Sequence, residues 1–178
     1  LAPSRPRLMA ASPAALSDSE IRVAPLVKTH WNQQTFNDCT PGNKKGNITS
    51  GYFPLGCGPT ALTQVMYTLR WPQDAVEPFT CTQSSISWAD GTSEWPQFTA
   101  VGGTYDWDEM PLTYSEVRVN KEVRGRMAKF GLDVAIAFAT QWREKSAGVT
   151  SAAVELWHGP MALTNFFHYS NAQFLSNT

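Results

Sequence analysis

The sequence holds few residues of the types that build metal centres. Among 178 residues there are three cysteines and three histidines. No two cysteines form a Cys-x-x-Cys pair, and no cysteine has a histidine within five residues, so the spacing typical of a zinc site is missing. We therefore expect no metal ion and no cofactor.

The sequence also has neither a large net charge nor a long apolar run. The formal net charge is −1 at neutral pH, which provides no basic surface for nucleic acid or an anionic membrane. No apolar run approaches the roughly 20 residues that a membrane helix needs. With 42% hydrophobic and 16% charged residues, the composition is that of a globular protein of one domain or two small lobes.

The chain divides into an arm, a body and a tail. Residues 1–20 are rich in Pro, Ala and Ser, which predicts an arm or a processed linker. Because the sequence starts at Leu1, without a methionine or a signal peptide, we expect a trimmed mature form or an engineered fragment. Residues 21–170 form the predicted body, and the polar residues 171–178 are expected to be an exposed connector tail.

The body is predicted to contain three helices and few strands. Apolar periodicity and breakers place these helices from about Gly58 to Trp71-Pro72, over 115–131 with Gly131 as C-cap, and over 148–167 with a kink at Gly159-Pro160. Weak β character is expected around 78–88. Residues 132–140 are interpreted as a short strand or as the start of the next helix.

Cys57 stands between Gly56 and Gly58, where the first predicted helix begins. A helix N-terminus stabilises a thiolate, and backbone N–H groups there can hold an oxyanion. The two glycines would let a substrate backbone approach, so we name both as candidate substrate-binding residues. The alternative is a small buried cysteine at a tight turn.

The other two cysteines lack this setting. Cys39 precedes a turn, and Cys81 lies in a predicted strand. In a secreted protein they could form a disulfide and leave Cys57 free. The alternative is three unpaired thiols, and the sequence leaves both possibilities open.

Four segments, in order, resemble the streptopain-like (C10-type) cysteine peptidases, a bacterial branch of the papain-like superfamily. The segments are PLVKTHWNQQTFND at 25–38, GCGPTALTQVMYTLRWP at 56–72, YDWDEMP at 105–111 and MAKFGLDVAIAF at 127–138. A rival resemblance is to the bacteriocin-processing peptidases, which share the Cys-Gly-Pro-Thr box. Those proteins carry a glutamine six residues before the cysteine, where this chain has Gly51, and the rival explains one segment instead of four.

The resemblance implies an α+β, papain-like fold, of which this chain is mainly the helical left lobe. It implies that Cys57 is the nucleophile, and that Gln33 contributes a side-chain donor near the oxyanion. Trp31 would wall the cleft or pack in the core. The family is secreted or at the cell surface, is made as an inactive precursor, and cleaves peptide bonds in proteins.

The resemblance also implies a histidine that the sequence does not supply in the expected place. In the family it lies far downstream of the cysteine, in a β-rich second lobe, within a Gly-His-Ala-type strand. None of His30, His158 and His168 matches that setting, although a fold that differs from the family's could bring one of them to Cys57.

Three interpretations follow from the unmatched histidine. In the first, which we favour, the protease is cleaved after Thr178 and a second polypeptide with the β-rich lobe stays bound. The second is an inactive fragment, and the third is a degenerate homologue that acts as a protein-binding module. The first predicts protein or peptide substrates and an apolar face covered by the second chain.

Overall fold

The computed structural model describes residues 24–36, 53–146 and 149–173. Along these residues four strands follow the first helix, and two more strands separate the third helix from the fourth. The α-helices are α1 (Cys57–Leu69), α2 (Tyr114–Val119), α3 (Lys121–Ala137) and α4 (His158–Phe166), and short 3-10 turns lie at Gln33–Phe36 and Trp107–Glu109. The strands are β1 (Phe79–Cys81), β2 (Ser85–Ser87), β3 (Ser93–Glu94), β4 (Phe98–Ala100), β5 (Gln141–Ser146) and β6 (Val149–Ala153). The predicted arm, Cys39 and most of the predicted tail lie outside the described residues.

The described strands form two sheets. β1 and β4 make an antiparallel pair, and the larger sheet has the order β3-β2-β5-β6. In that sheet β2 and β5 run parallel, whereas the other neighbours are antiparallel. β6 is thus an edge strand of the larger sheet, and it leads directly towards α4.

The hydrophobic core surrounds α3. Met127, Phe130 and Val134 on this helix are fully buried, and so are Phe36 and Trp142. Burial of each such side chain contributes roughly 1.5–3 kcal/mol relative to exposure. α3 contacts α1, α2, α4 and the turn at 33–36, so it is the element against which the others are positioned.

The helix predicted over 115–131 is in fact two helices. The chain breaks at Asn120, whose side-chain oxygen accepts hydrogen bonds from the backbone N–H groups of Glu122 and Val123 and so caps α3. The prediction of Gly131 as a C-cap is wrong, because α3 continues to Ala137. Gly131 lies inside the helix against the ring of Phe36, where a Cβ atom would collide with that ring. Residues 132–137 are therefore helical.

The helix predicted over 148–167 is also wrong in its first half. Residues 149–153 pair with β5, with Ala152 opposite Trp142. α4 starts at His158, and Gly159-Pro160 falls in its first turn, where the missing proline N–H costs no helical hydrogen bond. The α+β class is confirmed, but strands contribute more than the sequence suggested.

α1 agrees with its prediction, with its first residue at Cys57. Pro59 lies in the first turn. The helix ends at Leu69, and Arg70 follows in the left-handed conformation (φ 52°), with Trp71-Pro72 after it. None of the described helices is long and apolar enough to cross a membrane.

Candidate active site

Cys57 is the first residue of α1, and its side chain is exposed. Gly56 is the N-cap, at φ 108° and ψ 146°, a conformation that suits glycine because it has no Cβ. The first turn of α1 has no acidic residue, and no side chain caps it by a hydrogen bond. The positive end of the helix dipole is therefore uncompensated within α1 and favours negative charge beside Cys57.

Close packing leaves little room for a side chain at either of the two glycines that flank Cys57. A Cβ at Gly56 would lie 3.3 Å from the Cβ of Ala152 in β6. A Cβ at Gly58 would lie 2.6 Å from Cγ2 of Val154 and 3.7 Å from Cζ of Phe138. Both glycines thus let the chain after β5 pack closely against the start of α1. Their role in substrate binding stays a prediction.

Gln33 lies close to the segment that leads into Cys57. Its backbone carbonyl accepts a hydrogen bond from the N–H of Leu55 at 3.4 Å. Asn32 fixes the turn that carries Gln33, because its side-chain oxygen accepts from the N–H groups of Gln34 and Thr35 at 3.0 and 3.1 Å. The half-buried Gln33 and the exposed Cys57 are thereby brought to one region of the surface.

Trp31 is placed in the core. It is 5% exposed, its indole N–H donates to the carbonyl of Pro111 at 2.8 Å, and its ring packs edge-on against Phe36 and Tyr67. These contacts support the core interpretation and leave little surface for a substrate. A substrate-binding role for Trp31 stays a prediction.

Two of the three histidines lie beside parts of α1 that are distant from Cys57. His30 is exposed, and its neighbours Thr29 and Trp31 hydrogen-bond to Gln64, which is about two turns along α1 from Cys57. His168 follows Phe167, whose carbonyl accepts a hydrogen bond from the indole of Trp71. Since α1 is about 20 Å long, His168 lies at its far end.

His158 is closer in the fold, but its side chain lines a different cavity. That cavity, of about 210 Å³, is shared with Cys81 and Asn165. The ring of Phe138 lies against both Gly58 and Gly159 and separates the N-termini of α1 and α4. Nδ1 of His158 is buried and has no hydrogen-bond partner. In the part of the chain that the structure describes, no hydrogen bond joins a histidine to Cys57.

An apolar groove of about 510 Å³ begins beside Gly58 and follows the exposed side of α1. It is lined by residues of α1 and α4, by Phe138 and Leu156, and by Ala172 and Gln173 near the end of the described chain. Val65 is 43% and Leu156 61% exposed. Exposed apolar surface of this kind, next to an exposed thiol, is typical of a face that another part of a protein covers.

The Peptidase C10 family model matches residues 31–178. The chain belongs to the peptidase C10 family. Similar solved structures include the active wild-type interpain A cysteine protease of Prevotella intermedia, at TM-score 0.62 and 23% identity, and a prointerpain A fragment from the same organism, at TM-score 0.62 and 21% identity. At these identities the likeness establishes the fold alone. No curated protein matches the chain.

The similar region is a part of each interpain chain. It covers 82% of this chain in both comparisons, but 55% of active interpain A and 43% of the prointerpain fragment. The C10 family match extends the resemblance predicted from four segments to the residues between them.

Sequence reasoning missed several residues that shape the site. Val154 and Phe138 pack against Gly58, yet nothing in their local pattern indicated it, since the strand before Val154 was predicted as helix. Thr60 stood in the quoted motif without a role; its hydroxyl donates to the carbonyl of Gly56 at 2.7 Å. Among the described residues, no group of three or more His, Cys, Asp or Glu residues could hold a metal ion.

Proposed function

We propose that this chain is the nucleophile-bearing lobe of a cysteine endopeptidase that hydrolyses peptide bonds in proteins. The observation that carries the proposal is the position of Cys57: an exposed thiol at the uncompensated N-terminus of α1, in a chain of the peptidase C10 family. A thiolate needs access to substrate and a positive environment, and α1 provides both.

In the proposed mechanism the sulfur of Cys57 attacks the carbonyl carbon of the scissile peptide bond. The carbonyl oxygen becomes an oxyanion, which the backbone N–H of Cys57 and the side chain of Gln33 stabilise. A histidine takes the proton of the Cys57 thiol before the attack and gives it to the leaving amine as the carbon–nitrogen bond breaks, which leaves a thioester on Cys57. Water, deprotonated by the same histidine, hydrolyses that thioester and releases the free enzyme.

We further propose that a second polypeptide carries this histidine in a β-rich lobe, within a cleaved two-chain enzyme. The placement of His30 and His168 away from Cys57, and of His158 behind Phe138, supports a base from elsewhere. The apolar groove beside Gly58 supports a covering lobe. In this proposal residues 21–170 form one lobe, 1–20 an arm and 171–178 the connector.

The remaining expectations follow from the family and are proposals of the same kind. The enzyme would be bacterial, secreted or held at the cell surface, and made as an inactive precursor. Protein or peptide substrates would lie across the exposed face that carries Cys57.

Hydrolysis of fluorescently labelled casein tests the proposal. The protein used is this chain together with the proposed β-rich lobe, called the two-lobed protein below. We expect Cys57→Ser to reduce cleavage to background, because a serine hydroxyl is a far weaker nucleophile in this setting. Cys81→Ser is the matched control, since Cys81 is a partly buried thiol in β1, and it should retain parental activity. Casein cleavage by Cys57→Ser at the parental rate would refute the role of Cys57. No cleavage by the parental protein would leave a binding module as the better description.

A further inference from the structure

The peptide bond between Gly56 and Cys57 has its carbonyl held and its N–H turned outward. The Gly56 carbonyl accepts two hydrogen bonds from Thr60, one from the backbone N–H at 3.0 Å and one from the hydroxyl at 2.7 Å. Because a trans peptide is planar, the N–H of Cys57 points opposite to that carbonyl, away from the body of α1. As the first helical residue, Cys57 has no acceptor for this N–H inside the helix.

The Thr60 hydroxyl supplies a restraint that the helix alone would lack. Gly56, at φ 108°, is a residue type with wide backbone freedom, so its own conformation does little to fix the orientation of the next peptide. Thr60 is 6% exposed, and its hydroxyl is therefore shielded from competing water. With both lone pairs of the Gly56 oxygen engaged, rotation of this peptide plane breaks two hydrogen bonds instead of one.

Few other donors are available at this end of α1. Pro59, the third helical residue, has no N–H, so the first turn offers outward N–H groups from Cys57 and Gly58. Oxyanion donors act over a narrow range, about 2.7–3.1 Å from the oxyanion. A small rotation of the peptide between Gly56 and Cys57 would move its donor out of that range.

We infer that Thr60 is a positioning residue that orients the Cys57 N–H towards the oxyanion of the acylation step. This inference rests on the proposed function, in which Cys57 is the nucleophile. Thr60 does not touch the substrate: its hydroxyl acts on the carbonyl at the other end of the peptide that carries the donor.

Two reactions of Cys57 separate donor orientation from thiol reactivity. In acylation by a p-nitrophenyl ester the sulfur attacks a carbonyl, an oxyanion forms, and nitrophenolate leaves as the thioester is made. In alkylation by iodoacetamide a sulfur–carbon bond forms while the carbon–iodine bond breaks and iodide leaves, without an oxyanion. A change in the oxyanion donor alone alters the first rate and spares the second.

The variants are Thr60→Val, which replaces the hydroxyl by a methyl, and Thr60→Ser, which keeps the hydroxyl. Thr63→Val is a matched control, because Thr63 is fully buried one turn later and its hydroxyl donates to the Thr60 carbonyl at 2.7 Å. If Thr60→Val fails to fold, Thr60→Ala removes the hydroxyl without a buried methyl and is measured in the same way. All variants are made in the two-lobed protein.

We expect Thr60→Val to slow acylation about 10- to 100-fold, less than the 10²–10³-fold typical of deleting an oxyanion donor. Alkylation should stay within about twofold, since it forms no oxyanion. Thr60→Ser should restore acylation, and Thr63→Val should leave both rates at the parental level. Unchanged acylation in Thr60→Val, or an equal fall in both rates, would overturn the inference. Failure of the parent protein itself to be acylated would instead refute the proposed function.

Discussion

Substitution of Gly58 by alanine probes how tightly the chain after β5 packs on the start of α1. The new Cβ would lie 2.6 Å from Cγ2 of Val154, and valine cannot swing that methyl away easily because its χ1 rotamer is restricted. Overpacking of this kind costs about 1–3 kcal/mol. Alanine recovers about 1 kcal/mol of helix propensity, so the net loss of unfolding free energy should be about 0–2 kcal/mol.

A double-mutant cycle with Val154→Ala assigns that loss to one contact. Val154 is half-buried, so its truncation should cost about 1 kcal/mol by itself. In the Val154→Ala background, however, Gly58→Ala should be stabilising by up to about 1 kcal/mol, which gives a coupling energy equal to the overpacking cost of about 1–3 kcal/mol. Gly125→Ala in α3 is the matched control, because a Cβ there meets nothing within 4 Å.

Urea-induced unfolding of the two-lobed protein, followed by tryptophan fluorescence, measures each corner of the cycle. Gly125→Ala should raise stability by up to about 1 kcal/mol through helix propensity. The reasoning is refuted if Gly58→Ala stabilises the protein as Gly125→Ala does. It is equally refuted if the loss of unfolding free energy in the double mutant equals the sum of the losses in Gly58→Ala and Val154→Ala.

Three further predictions concern α3. Asp133→Ala should lower the free energy of unfolding by about 3 kcal/mol, measured by urea unfolding. The Asp133 side chain, 1% exposed, accepts hydrogen bonds from the Gly102 N–H and the Tyr105 hydroxyl, and each buried donor left unpaired costs about 1–3 kcal/mol. Asp108→Ala, at a fully exposed side chain, is the control and should change nothing measurable. Burial raises the pKa of Asp133, so its contribution to stability is fully present below the unfolded pKa near 4 and is lost as the pH rises through the higher folded pKa. Asp133→Asn should remove that slope from a pH series, and an unchanged slope would contradict the assignment. Asn120→Ala should cost about 1 kcal/mol, since it removes the cap of α3; a loss below about 0.3 kcal/mol would contradict that role.

The elements that could be predicted from sequence are those whose signals are local. α1 has glycine and proline at its start, apolar periodicity along its length and Trp71-Pro72 after its end. All of these signals lie in or next to the helix. The break at Asn120 was missed because apolar periodicity continues across it, and one capping side chain decides the boundary. β6 was missed because its pairing partner, β5, is a separate segment whose strand character was not recognised.

The site shows the same division between local and distant signals. The position of Cys57 at a helix start follows from residues 56–59 alone. By contrast, the closeness of Gly58 to Val154 depends on a segment almost 100 residues later, so the glycine pattern did not indicate this packing contact. Trp31 could be assigned to the core once its indole partner, Pro111, was known.

The most direct test of the central claim is intact-mass spectrometry of the native protein treated with an irreversible epoxide inhibitor of cysteine proteases, with the polypeptides separated under denaturing conditions. We expect one adduct, on Cys57, and a second polypeptide that co-purifies with this 19.7 kDa chain. An unmodified chain with no companion, or an adduct on Cys81 in place of Cys57, would contradict that claim.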